Sequence, residues 1–485
     1  MKRLILLMAV SLAVALAAAK RNPAMYYVQL KDKQGCGFTT SNPLSYLSQR
    51  AIDRRTRWNI PVDSTDLPLA QTYVDSIAHI GADIYQKSRW MNGLLVYATD
   101  AQISTISSLD FVTNAEIIRP STNVNLLKKL QKKRKNKNTK ATYSQITDQN
   151  HQVGADSLHN AGFRGQGIQV AVIDAGFPKV NTLPGFDSLR NRGGILGTYN
   201  VVTKSTDVYC DHYHGTMCLS TMAFNIPGEL VGTAPDADYW LLRTEVDDEE
   251  YLYETDLWII AVEMADSAGV DLISTSLGYF FTDDEDKQFT YSNMNGIHFR
   301  STVAARMAAE KGIVMCVAAG NEGDSDWQYI DTPADADSIL CIGGVDRYGE
   351  HSSFSSYGPT ADGRIKPEVC ACATGASVAE VDYPEWYGNV TVGYGTSFAT
   401  PIAAGTIASL MSALPDVNPA IIRRAIIATA SQSNNPDNTL GYGILNGWEA
   451  YKYLTSPATA TEDVEEKKGR AFISNGLLFV EGYEG

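Results

Sequence analysis

Beyond residues 5–18 the sequence has no long apolar run, and that one is too short to span a bilayer comfortably, so no transmembrane segment is expected. No period of 20–50 residues is evident, which excludes a repeat architecture. The sequence also lacks a His-Glu-x-x-His pair, the usual helix-borne set of zinc ligands. Cysteine is scarce, with seven in 485 residues, and the chain is far too long for a disulfide-stapled miniprotein. At 44% hydrophobic and 20% charged it is too apolar for a disordered one and can bury a large core. The basic Lys2 and Arg3, the apolar run and Ala17-Ala18-Ala19 give the three regions of a secretory signal, residues 1–19, with cleavage expected after Ala19.

Charge is divided unevenly. Residues 1–140 carry 21 Lys+Arg against 9 Asp+Glu, a net of +12, which leaves a net of −27 to residues 141–485. Opposite halves of this kind attract each other as an N-terminal inhibitor and its enzyme do, and solubility alone accounts for them equally well. The acidic remainder argues against nucleic-acid binding. Eight Lys+Arg fall in residues 128–140, with Leu130 the single apolar residue, so residues 128–143 are expected to be an exposed basic linker open to proteolytic nicking. A polybasic arm for nucleic acid or lipid is the rival reading. Export permits disulfides, and the six cysteines after the linker could pair in fifteen ways. Cys316 and Cys341 lie inside apolar runs and read equally well as inert buried thiols.

Residues 20–127 read as a small α+β module: strands at MYYVQL, MNGLLVYA and VTNAEII, and helices at LAQTYVDSIAHIG and AQISTISSL. Over residues 144–455 continuous apolar runs alternate with helical ones: IQVAVID, ADYWLLRT, VDLISTSLG, IVMCVAAG and ILCIGGV against HGTMCLSTMA, DLWIIAVEMADSAG, STVAARMAAEKG and FATPIAAGTIASLMSAL. Strands without alternation are covered on both faces. The fold class expected is α/β, a doubly wound and mainly parallel sheet, preceded by the small α+β domain. Residues 456–485 shift to a linker and a short strand-like stretch, ISNGLLFVEG, too short for a domain.

In doubly wound sheets sites form beyond the carboxyl ends of the strands. Asp174 closes one apolar run, Asn321 follows another, and His214 and Ser397 open helices, Ser397 with Pro401 within about the first turn. Each alone has a dull explanation as a cap or a turn residue. Together they supply a nucleophile, a base to take its proton, a carboxylate to orient that base and an amide to donate to an oxyanion.

The order Asp, His, Ser and the segments VIDAG, HGT, GTAPDA, STSLG, AAGNEG and GTSFATP resemble those of the subtilisin-like serine proteases, the subtilase family, over roughly residues 150–455. The resemblance implies Asp174 as orienting acid, His214 as general base, Ser397 as nucleophile and Asn321 as oxyanion donor. It implies Ser276-Leu277-Gly278 and Ala318-Ala319-Gly320 as facing walls of the pocket for the residue before the scissile bond. It further implies polypeptide substrates, an exported zymogen, and a propeptide in the front module acting as intramolecular inhibitor. Four positions depart from the family pattern. Ala175 stands where a supporting hydroxyl is usual, Met217 replaces a common His, Phe398 a frequent Met, and Tyr279 follows the pocket strand where glycine is frequent.

Three other readings compete. Cys210, His212 and His214 would share one face of an extended strand and make a metal cluster. The acidic run Asp283-Asp284-Glu285-Asp286 could hold calcium, although its spacing fits no defined loop and solvated surface explains it. No cofactor is expected to be required and no metal ligand is assigned. A catalytically idle relative that only binds peptides is the rival from another class.

Overall fold

A computed structural model describes residues 21–123, 149–382, 389–456, 470–474 and 477–481. The expected signal and basic linker lie outside the described residues.

The front module is a four-stranded antiparallel sheet with helices on one face. Its elements are β1 (Ala24–Leu30), α1 (Gln49–Arg57), α2 (Gln71–His79), β2 (Asp83–Ser88), β3 (Gly93–Ala98), α3 (Asp100–Ser107) and β4 (Val112–Arg119), in sheet order β2-β3-β1-β4. The period of two decides what each face covers. Val28 and Leu30 of β1, with Leu94 and Val96 of β3, pack on Val74, Ile77 and Ile106 of the module's own helices. Met25, Tyr27 and Leu95 point the other way and join a core with Trp258, Ile259 and Val262 of the rear domain.

Ion pairs rim that contact, and they follow the charge asymmetry of the sequence. Ser48 caps α1 by accepting the Ala51 N–H, and the helix carries Arg54 and Arg55 into the interface. Asp266 of the rear domain receives Arg54 at 2.5 Å, Arg55 at 2.8 Å and Arg89 at 3.1 Å, while Arg55 also grips Asp66. Glu263 accepts from the Ser88 hydroxyl and the Trp90 N–H, and Arg119 pairs with Glu249.

The rear domain is built on β5 (Gln169–Asp174), β6 (Ile195–Asn200), α4 (His214–Ala223), β7 (Asp238–Arg243), α5 (Tyr253–Ala268), β8 (Leu272–Thr275), α6 (Arg300–Glu310), β9 (Val314–Ala318), β10 (Leu340–Asp346), β11 (Val369–Ala379), β12 (Val390–Tyr394) and α7 (Thr396–Ala413). The strands form one eight-stranded sheet in the order β12-β11-β10-β9-β8-β5-β7-β6, parallel except for the edge strand β12. Successive residues of β5 serve opposite cores: Val170 and Val172 face α4 and α7, while Ala171 and Ile173 face α5 and the front module. This is why these strands read as unbroken apolar runs. At the chain's end Arg470–Ser474 pairs antiparallel with Leu477–Glu481. No helix among the described residues is long and apolar enough to cross a membrane.

Candidate active site

Asp174 is the last residue of β5, His214 the first of α4, Asn321 lies just past β9, and Ser397 is in the first turn of α7. All four therefore stand on the carboxyl-end rim of the sheet. Asp174 is fully buried, and its Oδ1 accepts from His214 Nδ1 at 2.7 Å and from the Ala175 N–H at 2.8 Å. A carboxylate only accepts, so His214 Nδ1 carries a proton and Nε2 of the neutral ring is left as a base. Burial works against a charge on the ring. The Asp174 carboxylate, followed by Cys218, overcomes it and holds the His214 pKa well above its ordinary 6.5. Asp174 Oδ2 is buried without a hydrogen-bond partner among the described residues.

Ser397 owes its placement to a proline. Helix α7 begins at Thr396, so Pro401 lies in the second turn, not the first as its spacing suggested. In a regular helix the N–H of residue 401 would donate to the carbonyl of residue 397, and proline has no N–H to give. The freed Ser397 carbonyl accepts instead from Ser276 Oγ at 2.7 Å and from Cys218 Sγ at 3.3 Å. The serine's peptide unit is thereby tied to the segment after β8 and to α4, the helix that carries His214. Its hydroxyl reaches the Ser276 carbonyl at 3.5 Å and makes no hydrogen bond to the His214 ring. The Phe398 ring lies 6.0 Å from that of His214.

The Asn321 amide has one orientation. Oδ1 accepts the Thr396 N–H at 2.8 Å and the Thr396 hydroxyl at 3.2 Å. A backbone N–H cannot accept, so Oδ1 must face Thr396, and Nδ2 is left with no hydrogen-bond partner among the described residues.

Adjacent strands β8 and β9 bring together the two segments expected to face each other, Ser276-Leu277-Gly278 after β8 and Ala318-Ala319-Gly320 at the end of β9. The backbone between them is pinned: the Asp331 N–H donates to Ala319 O, and Tyr279 and Thr332 exchange N–H···O bonds of 2.9 and 3.1 Å. Gly320 has φ +109°, a conformation that favours glycine, and a Cβ there would lie 2.4 Å from Asp331 Oδ2. Tyr279 is buried. It packs with Phe289 and Met294, and its hydroxyl donates to Glu245 at 2.8 Å.

The rival metal cluster of Cys210, His212 and His214 does not form, because the chain bends over residues 210–213 and enters α4. His212 Nδ1 accepts the His214 N–H and its ring stacks on Tyr213. Among the described residues the one group with metal-ligand geometry is Asp174, His214 and Cys218. In the acidic run, Asp283 and Asp284 accept the N–H groups of Glu250 and Asp286. No disulfide involves Cys36, Cys210, Cys218, Cys316, Cys341 or Cys370. Sequence reasoning missed Cys218, hidden in an apolar helix, and Asp331, which belongs to no motif. The position of Cys218 at i+4 from His214 was the available signal for the first.

The chain matches the subtilase family over residues 165–443 and the Bacteroidota propeptide domain of peptidase S8 over residues 25–140. It is 28% identical over 341 residues to the serine protease AprX of Bacillus subtilis, covering 64% of this chain and 72% of that protein. It is 30% identical over 299 residues to subtilisin E of Bacillus subtilis, covering 61% and 68%. To the subtilisin of Bacillus pumilus it is 30% identical over 284 residues, covering 58% and 90%. With a parallel sheet that carries Asp174, His214, Asn321 and Ser397 on one rim, and an α+β domain docked in front, the chain belongs to the subtilase family of serine endopeptidases.

Proposed function

We propose that this protein is an exported endopeptidase made as a zymogen, which cleaves polypeptides through an acyl-enzyme on Ser397. The observation that carries the reading is the 2.7 Å bond from His214 Nδ1 to the buried Asp174, on a helix whose Cys218 also holds the Ser397 carbonyl. In the reaction Ser397 Oγ turns from the Ser276 carbonyl toward His214 Nε2. Oγ then attacks the scissile carbonyl as its proton passes to Nε2, and Asp174 stabilises the imidazolium. The oxyanion that forms takes a hydrogen bond from Asn321 Nδ2. The imidazolium returns the proton to the leaving amine, and a water activated by His214 hydrolyses the ester. Residues 1–19 direct export. The front module keeps the enzyme idle until the chain is cut within residues 128–145.

A fluorophosphonate should label Ser397 in the mature protein, whereas a peptide-binding relative without activity would stay unlabelled. Ser397→Ala should abolish peptide cleavage. Retention of the front module in that variant alone would make the processing autocatalytic.

A further inference from the structure

We propose that Asp331 determines the specificity of the candidate site, and that it selects a lysine or arginine at the residue before the scissile bond. The inference rests on the peptidase reading above and adds the substrate class.

Asp331 is 3% exposed, and its Oδ1 has no hydrogen-bond partner among the described residues. Its position is fixed by main chain on both sides, through Ala319 O and through the Tyr279–Thr332 pair that continues the Ser276-Leu277-Gly278 wall. Its carboxyl lies against the α-carbons of both pocket glycines: a Cβ on Gly278 would come within 2.8 Å of Asp331 Oδ2, and one on Gly320 within 2.4 Å. A side chain entering between the walls passes two glycines and ends at this acid.

No salt bridge reaches Asp331 among the described residues. Its charged neighbour is another acid, Glu322, whose Oε2 accepts the Asn321 N–H at 2.6 Å, and the Glu322 and Trp327 side chains both hydrogen-bond the Asp331 carboxyl. Burial, then Glu322, raises the Asp331 carboxyl well above the ordinary carboxylate range. An ammonium or guanidinium satisfies the idle oxygen with a charge-assisted hydrogen bond. An apolar side chain leaves the same oxygen buried and unsatisfied. The chain carries a matching sequence in itself, with eight Lys and Arg in residues 128–140.

The test uses the secreted enzyme, titrated with a fluorophosphonate, on peptidyl coumarylamides that differ only at the residue before the scissile bond: Lys, Arg, Gln, Phe and Leu. The expected kcat/KM for Lys or Arg exceeds that for the other three by roughly tenfold or more, the scale of a close buried charge pair. In Asp331→Asn and Asp331→Ser the ratio of basic to apolar turnover should collapse toward one, chiefly through KM. A labelled wild-type enzyme that prefers Gln, Phe or Leu overturns the inference while leaving the peptidase reading intact, and so does a variant that keeps the basic preference. Failure of both labelling and cleavage with every substrate would sink the peptidase reading instead. The wild-type panel decides the matter even if neither variant folds.

Discussion

Replacing Asn321 separates two roles of one amide. On the proposed mechanism Nδ2 donates to the oxyanion, and losing one such donor costs about 10²–10³ in kcat, a magnitude known from a subtilisin. Oδ1 has a structural role that follows from its contacts. It accepts the N–H of fully buried Thr396 at 2.8 Å, whereas the Thr396 hydroxyl has a second acceptor in Gly320 O at 3.1 Å. Asn321→Ala therefore strands one buried N–H, at a cost of about 1–3 kcal/mol, and lowers the melting temperature by a few degrees. Asn321→Asp keeps an acceptor for Thr396 but removes the donor, so its stability should stay closer to wild type while kcat falls at least as far. Turnover is measured on titrated enzyme, and melting in the Ser397→Ala background, where autolysis cannot interfere. A kcat within tenfold of wild type for both variants refutes the oxyanion role. An alanine variant that melts no lower than the aspartate one refutes the role of Oδ1.

Because His214 must be neutral to accept a proton and its pKa is held above 6.5, kcat/KM should rise with pH with a midpoint above 6.5; a profile flat from about pH 5 to 8 contradicts this. Asp266→Ala removes the shared partner of Arg54, Arg55 and Arg89 and should destabilise the unprocessed Ser397→Ala chain by about 3–5 kcal/mol, measured by denaturant unfolding. An effect under about 1 kcal/mol would mean the arginines find other partners. Burial, then Glu245 and Glu250, raises the Glu254 carboxyl well above its ordinary 4.5. A raised folded-state value makes this contribution full below pH 4.5 and lost as pH climbs toward the folded pKa, so Glu254→Gln should show a shallower fall in melting temperature from pH 5 to 8. Equal slopes in the two proteins would remove this carboxyl from the account.

Much of the rear domain was legible because its central strands bury both faces, so β5, β7, β8, β9 and β10 stand out as apolar runs. Several of the elements that escaped notice have mixed or polar surfaces. Helix α1 (QRAIDRRTR) has little apolar periodicity because its inward face is arginine, matched by acids more than two hundred residues away. Strand β2 (DIYQKS) alternates poorly because it uses polar atoms at the interface: the Tyr85 hydroxyl and the Gln86 amide donate to the carbonyls of Val202 and Val201. Strand β12 reverses direction at the sheet edge, which no run of five residues announces. In the site, the glycine-framed residues were readable because catalytic blocks carry local patterns. Asp331 was not, because its importance comes from two glycines on distant segments closing over it.

Every guanidinium on Asp266 belongs to the front module, as do the groups that hold Glu263. On the proposed processing, loss of the module would leave helix α5 with the carboxylates of Glu263 and Asp266 stripped of their counter-charges and facing water. Dissolved cations will gather on that face, and like-charged chains will approach it reluctantly. Ionic strength thereby becomes a control on how long the cut pieces remain together, independent of the chemistry at Ser397.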